Sequence, residues 1–315
     1  MSTLISGSLA YDYIMDFPDS FKNHLLPDQL HILNVCFVVE KLKKNLGGCA
    51  TNIAYTMKLL EENPLILGPV GSDGADLLHF FKEKKIETKY IDTLKDELTS
   101  SAHITTDKDD NQIIAYHNGA GNNATDMNVS TVTEELKLAL ITPTKKEAMI
   151  KHAMECYDKK IPFCFDPSHQ LTAFSDQELA ATIGQAKLYI GNDYELKLTE
   201  EKTGWDTHKL LEHTEIVIIT LGDKGSVIVT KEESIEIKPC PATSVEDPTG
   251  AGDAYRGGFF ASYTRGYDLK TCGQMASVAA TYAVEHYGTV NHTYTMEEFE
   301  KRYENTYGEP ISLKM

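Results

Sequence analysis

Short apolar runs alternate with helix-period segments along most of the chain. Residues 65–70 read as a buried strand, followed by the turn Gly71-Ser72-Asp73-Gly74 and a helix through Leu77, Phe80 and Phe81. Residues 149–157 read as a helix, and 161–165 as a strand that ends in Asp166-Pro167. Two further runs, 188–190 and 216–221, stop at Gly191-Asn192 and Gly222. Strand-length runs separated by helices predict parallel strands joined by crossover helices, and hence an α/β, doubly wound, mostly parallel sheet. In such sheets ligands bind beyond the carboxyl ends of the strands, where the polar residues of this chain cluster.

Two stretches break the rhythm. Residues 31–42 are long, β-rich and free of turn signals, and residues 99–106 and 112–116 flank the polar cluster Asp107-Lys108-Asp109-Asp110-Asn111, which suits a hairpin turn. These are read as strands outside the βαβ core, forming either a small β-lid over the strand ends or a plain surface hairpin. With the lid, the chain is expected to be one domain over 1–315, the lid coming from about 10–45 and 97–118.

Composition narrows the class. Of 315 residues, 41% are apolar and 24% charged, the balance of a water-soluble globular protein. No apolar run reaches the ~20 residues of a spanning helix, and the N-terminus lacks a secretory pattern, so a cytoplasmic protein is expected, with no membrane partner. A net charge of −17 argues against a nucleic-acid polymer as partner but not against a nucleotide, which a few backbone amides and Mg²⁺ can hold. Six scattered cysteines form no zinc-like spacing, and most sit in apolar runs as small core residues.

The segment Asp247-Pro248-Thr249-Gly250-Ala251-Gly252-Asp253 carries the most chemistry. Glycines at 250 and 252 let the chain turn so that successive N–H groups at a helix start face an anion. Asp253 follows in the first helical turn, where a carboxylate among anion-binding amides makes sense as a proton acceptor. It is neither a P-loop, lacking Gly-Lys-Ser/Thr, nor G-x-G-x-x-G, because Tyr255 stands at the third glycine.

Residues 247–259 resemble the C-terminal signature of the ribokinase/PfkB family of carbohydrate kinases, and Gly47-Gly48-Cys49-Ala50-Thr51-Asn52 its N-terminal G-G-x-x-x-N signature. The resemblance spans the chain and implies a ribokinase-like fold. It implies ATP and Mg²⁺ as cofactors and Asp253 as the general base, with the amides of Gly250, Ala251 and Gly252 as the anion hole. Asn192-Asp193-Tyr194-Glu195 is similar to the family's N-x-x-E motif, whose Glu organises Mg²⁺ and its waters; read alone, it is an Asn cap before a helix. Thr220, Gly222 and Gly225 resemble the family's strand-end turn at the ATP phosphates, and the ATP adenine is expected along residues 276–283.

On the acceptor side the resemblance assigns Gly47 and Gly48 to close backbone approach to a sugar. Asn52 would bond its hydroxyls, and Asp12, near the end of the first strand, would grip its diol. Finer similarity, in Ser6-Gly7-Ser8-Leu9-Ala10-Tyr11-Asp12 and Asp166-Pro167-Ser168-His169-Gln170, is to bacterial, ribokinase-like adenosine kinases. It nominates Ser8, His169 and Gln170 beside the nucleoside and Tyr116 as an aromatic against the base. The place of a second lid aromatic falls near Ala102, where the sequence departs: either His103 stacks instead or the pocket is looser. Arg256, one turn past Asp253, either holds phosphate or pairs with a surface carboxylate. The implied reaction is phosphorylation of the adenosine 5′-hydroxyl to AMP in purine salvage, with another sugar or nucleoside, or a non-catalytic binding role, as the alternatives. Exposed lid edges allow a homodimer.

Overall fold

β-Branched runs bounded by helices leave the strands nowhere to pair but side by side, each buried on both faces. The computed structural model of the protein describes residues 2–25, 34–109 and 111–311. Its strands begin with β1 Ser2–Ser6, β2 Ala10–Asp16, β3 Lys41–Gly47, β4 Leu65–Gly71 and β5 Ile91–Leu94. They continue with β6 Ser100–Thr106, β7 Gln112–His117, β8 Leu136–Ile141 and β9 Phe163–Phe165. The last are β10 Leu188–Asn192, β11 Ile216–Thr220, β12 Ser226–Val229 and β13 Ser234–Ile237. The helices are α1 Cys49–Leu59, α2 Ala75–Glu83, α3 Lys146–Asp158, α4 Asp176–Ile183 and α5 Asp193–Thr203. They end with α6 Thr207–His213, α7 Ala251–Thr264, α8 Leu269–Val284 and α9 Met296–Tyr307.

Nine strands form the main sheet in the order β13-β12-β11-β10-β9-β8-β1-β4-β5, parallel except where β12 and β13 turn back at one edge. Alternate residues feed two cores. Leu4, Leu65 and Ala139 meet Met149 and Leu179 of α3 and α4. Ile5, Ile66 and Leu140 meet Ile53, Phe259 and Met275 of α1, α7 and α8. The fold is a doubly wound, mostly parallel α/β sheet with helices on both faces. Because the central strands run one way, Ser6, Asp166, Asn192 and Thr220 all come to one edge.

A separate four-stranded sheet, β3-β2-β6-β7, stands beside that edge. Here two expectations need correction. Asp12 does not close the first strand; it is the third residue of β2, within this second sheet. Of the expected strand over 31–42, residues 31–33 lie outside the described part, 34–40 form no strand, and pairing starts at Lys41. Both edges of β2 are already taken, by Lys41–Gly47 and by β6. Phe37 packs instead on Phe17 and Phe21, with ring centroids 4.9 Å from each.

Candidate active site

Helices α1 and α7 start side by side, and their first turns meet. Asn52 Nδ2 donates to Asp253 Oδ2 at 2.8 Å, while Asn52 Oδ1 is buried without a protein partner. Asp253 is half-buried, and its carboxyl is pushed up to about 6. Burial is the main cause; the Arg256 charge and the Asn52 hydrogen bond pull the other way. Gly250, at φ +81°, makes the left-handed turn that opens α7. Asp247 stitches this loop, accepting from Thr249 N–H (2.9 Å) and from Gly288 N–H (3.0 Å). First-turn amides have no partner four residues back, which leaves them available to an anion. One of the three nominated, Ala251 N–H, reaches the Pro248 carbonyl at 3.2 Å.

Arg256 does not pair with a surface carboxylate. It is buried, donating through Nε and Nη2 to both oxygens of buried Asp166 at 2.5 and 2.6 Å, and through Nη1 to the Gly252 carbonyl at 3.0 Å. Sequence reasoning missed this pair because the partners lie 90 positions apart. It also missed Cys49, a half-buried neighbour of Asp253 rather than a core thiol.

Ser8, Tyr116, His169 and Gln170 line one small pocket together with Ser100, Asn118 and Lys145, three residues the sequence had not nominated. Ser8 Oγ accepts from Cys49 N–H (3.1 Å), which ties this pocket to the start of α1. Tyr116 is 49% exposed, yet its phenol is pushed up to about 12 because the hydroxyl end is buried near Ser100, Cys49 and Asp12. Loss of water around the ring keeps the His169 imidazole below its ordinary pKa, although the residue as a whole is exposed.

Register explains the rest of this side. Asp12 sits opposite Asn45 and Ala102, and Ala102 opposite Tyr116, so the four share one face. His103 is on the other face, where its ring stacks on Tyr13 at 4.9 Å; it cannot replace the aromatic missing at Ala102. Asp12 is pushed up to about 6, by burial and then by the charge of Asp247. Gly47 and Gly48 are packed tightly against protein. A Cβ at Gly47 would fall 2.2 Å from Asp12 Oδ2, and one at Gly48 2.5 Å from the Ser8 carbonyl.

On the far side of Gly252 lies a largely apolar cleft of about 440 Å³, the size of small-molecule sites. Thr220, Gly222 and Gly225 line it with Ala251 and Gly252, as do Ser277, Ala280 and Thr281 of α8. Pro239, Pro241 and Val245, not foreseen, complete the wall. Asn192 is not among these lining residues: its side chain and that of Glu195 cap each other across the start of α5, at 2.7 and 2.8 Å.

The profile described as pfkB family carbohydrate kinase matches residues 23–296. The chain belongs to this family. Among its relatives is a nucleoside kinase of Methanocaldococcus jannaschii, 31% identical over 300 residues, with 95% of each chain covered. Among solved structures, the nucleoside kinase of Burkholderia thailandensis in complex with inosine superposes with a TM-score of 0.90 at 34% identity. That match covers 98% of this chain and 99% of the other. A second structure of the same enzyme, in complex with ADP-inosine, matches at 0.87 and 36%, covering 98% and 97%.

In this PfkB-family kinase no group of three or more His, Cys, Asp or Glu among the described residues could hold a metal ion. Near this edge Glu195 Oε1 accepts from Ser168 Oγ at 3.1 Å. A single carboxylate of this kind fits a Mg²⁺ that keeps most of its waters and rests chiefly on phosphate oxygens. No helix among the described residues is long and apolar enough to cross a membrane.

Proposed function

We propose that this kinase transfers the γ-phosphoryl group of ATP to the 5′-hydroxyl of a purine nucleoside, adenosine first among them, giving AMP and ADP. The observation that carries the reading is the position of Asp253. Gly252 beside it lines the apolar cleft, and Cys49 beside it bonds Ser8 of the polar pocket. One carboxylate thus stands between a site suited to a nucleotide and a site suited to a small polar acceptor.

Asp253, oriented by Asn52, takes the proton of the attacking hydroxyl. The amides of Gly250 and Gly252, with that of Ala251 once it leaves Pro248, take up charge on the transferring group. Asp12 grips the ribose diol, and the unpartnered Oδ1 of Asn52 accepts from a ribose hydroxyl. Tyr116 lies against the base and Gln170 meets its edge. Thr220, Gly222 and Gly225 approach the ATP phosphates, while the adenine of ATP lies along Ser277–Thr281. Glu195 would hold a nucleotide-bound Mg²⁺ through water, and that ion would supply charge neutralisation. The small second sheet acts as a lid that excludes water. Its edge strands β3 and β7, with Ile113 and Ile114 exposed, suit pairing with a second copy.

A second acceptor, inosine, is favoured by the relative solved with it. The test is ADP release from Mg-ATP with adenosine, inosine, guanosine, cytidine, ribose and fructose 6-phosphate. Turnover led by a purine nucleoside supports the reading, and the ratio of adenosine to inosine decides between the two acceptors. Turnover only with a sugar overturns the acceptor assignment, and silence across the panel overturns the kinase reading.

A further inference from the structure

Arg256 is a buried charge that the proposed transfer does not use. Its guanidinium, carried on α7, has three anchors: both oxygens of Asp166, just past the end of β9, and the carbonyl of Gly252 in the first turn of its own helix. Asp166 opens the segment that carries His169 and Gln170 into the acceptor pocket. Gly252 belongs to the turn that ends at Asp253 and also lines the nucleotide cleft. Burying an ion pair is costly, and a bidentate fork is the arrangement that fixes relative geometry best.

We infer that Arg256 and Asp166 are positioning residues that hold the acceptor loop and the phosphoryl-transfer turn at a fixed separation and set the charge around the base. This inference rests on the kinase reading above. Two effects follow. The fork fixes how far the acceptor stands from Asp253, and a displacement of about 1 Å at a reacting centre costs on the order of 10²-fold in rate. The pair also acts on Asp253 electrostatically in opposite senses. Arg256 favours the ionised base and Asp166 disfavours it, alongside the Asn52 and Cys49 contacts from α1, which favour it.

The experiment is kcat and KM against pH for wild type, Arg256→Lys, Asp166→Asn and the double variant Arg256→Gln/Asp166→Asn, with melting temperatures beside them. Arg256→Lys keeps the charge but loses the fork. It is expected to lower kcat on the order of 10²-fold while leaving the acid limb of kcat/KM where it stands in wild type. Asp166→Asn removes the opposing carboxylate and is expected to move that limb to lower pH. The double variant removes both charges and keeps the fold if a single variant does not. It is expected to lose turnover as Arg256→Lys does. Folded variants with wild-type kcat, or losses that track melting temperature alone with no movement of the limb in Asp166→Asn, would overturn the inference. An inactive wild type would instead overturn the kinase reading, so the two failures are distinguishable.

Discussion

Asp253 and Asp12 carry raised pKa values for the same reason, loss of water, and are proposed to serve different ends. For Asp253 the value of about 6 puts the base mostly ionised at neutral pH and protonated in mild acid. The kcat/KM profile is therefore expected to fall below about pH 6. Asp253→Asn is expected to bind nucleoside normally and lose turnover by ~10²–10⁴-fold, checked by equilibrium binding and ADP release. For Asp12 the sign runs against stability. A group whose folded pKa is raised helps the fold below its unfolded value of about 4 and loses that contribution as pH rises through about 6. At pH 7 its ionised form is a cost, so Asp12→Asn is expected to stabilise the protein by about 1–2 kcal/mol after allowance for partial solvation. The same change is expected to raise KM for the nucleoside, because the gripping carboxylate is gone. A melting curve that drops in Asp12→Asn at pH 7 contradicts this.

At the level of elements, the turns at the strand ends divide by what surrounds them. Gly222 and Gly225 flank one 3₁₀ turn, both with positive φ, +60° and +91°. Nothing lies within 4 Å of a Cβ on Gly222, whereas one on Gly225 would fall 2.0 Å from the Ile237 carbonyl of β13. Gly222→Asn, whose φ asparagine tolerates, is expected to leave the melting temperature nearly unchanged. Gly225→Ala is expected to cost at least ~1–3 kcal/mol and to raise KM for ATP, since the turn that lines the cleft must shift. The capping box of Asn192 and Glu195 shows why a short motif read alone is ambiguous. The reading as a helix cap is seen directly, and the metal role proposed for Glu195 would be a second use of the same carboxylate. The signature turn at 247–253 was legible because glycine placement and a following helix are local matters. The strand expected over 31–42 was not: exposure alternates over 34–40, but both edges of β2 are taken and pairing starts only at Lys41.

For the whole molecule, the second sheet is the element proposed to close the acceptor side. Its outer strand β7 is exposed along its length, with Ile114 at 55%. If copies pair through this sheet, light scattering at micromolar concentration is expected to give a dimer, and Ile114→Glu a monomer with a raised nucleoside KM. A monomeric wild type removes the pairing and leaves the site assignments intact. The same sheet accounts for the error over His103. Neighbours in sequence point to opposite faces of a strand, so Ala102 joins Asp12 and Tyr116 while His103 turns to Tyr13.

Sequence alone determined the alternation of strands and helices in the main sheet and the family, and it nominated the base. Each rests on local periodicity or on residues within a few positions of one another. Only the tertiary structure decided which distant groups meet: Asn52 with Asp253, Arg256 with Asp166, and Ser8, Tyr116, His169 and Gln170 around one pocket. Those contacts depend on how parallel strands bring their ends to a common edge, and on the face each residue of the second sheet presents. Pattern along the chain specifies the period of an element, but partners across space are fixed by packing and register.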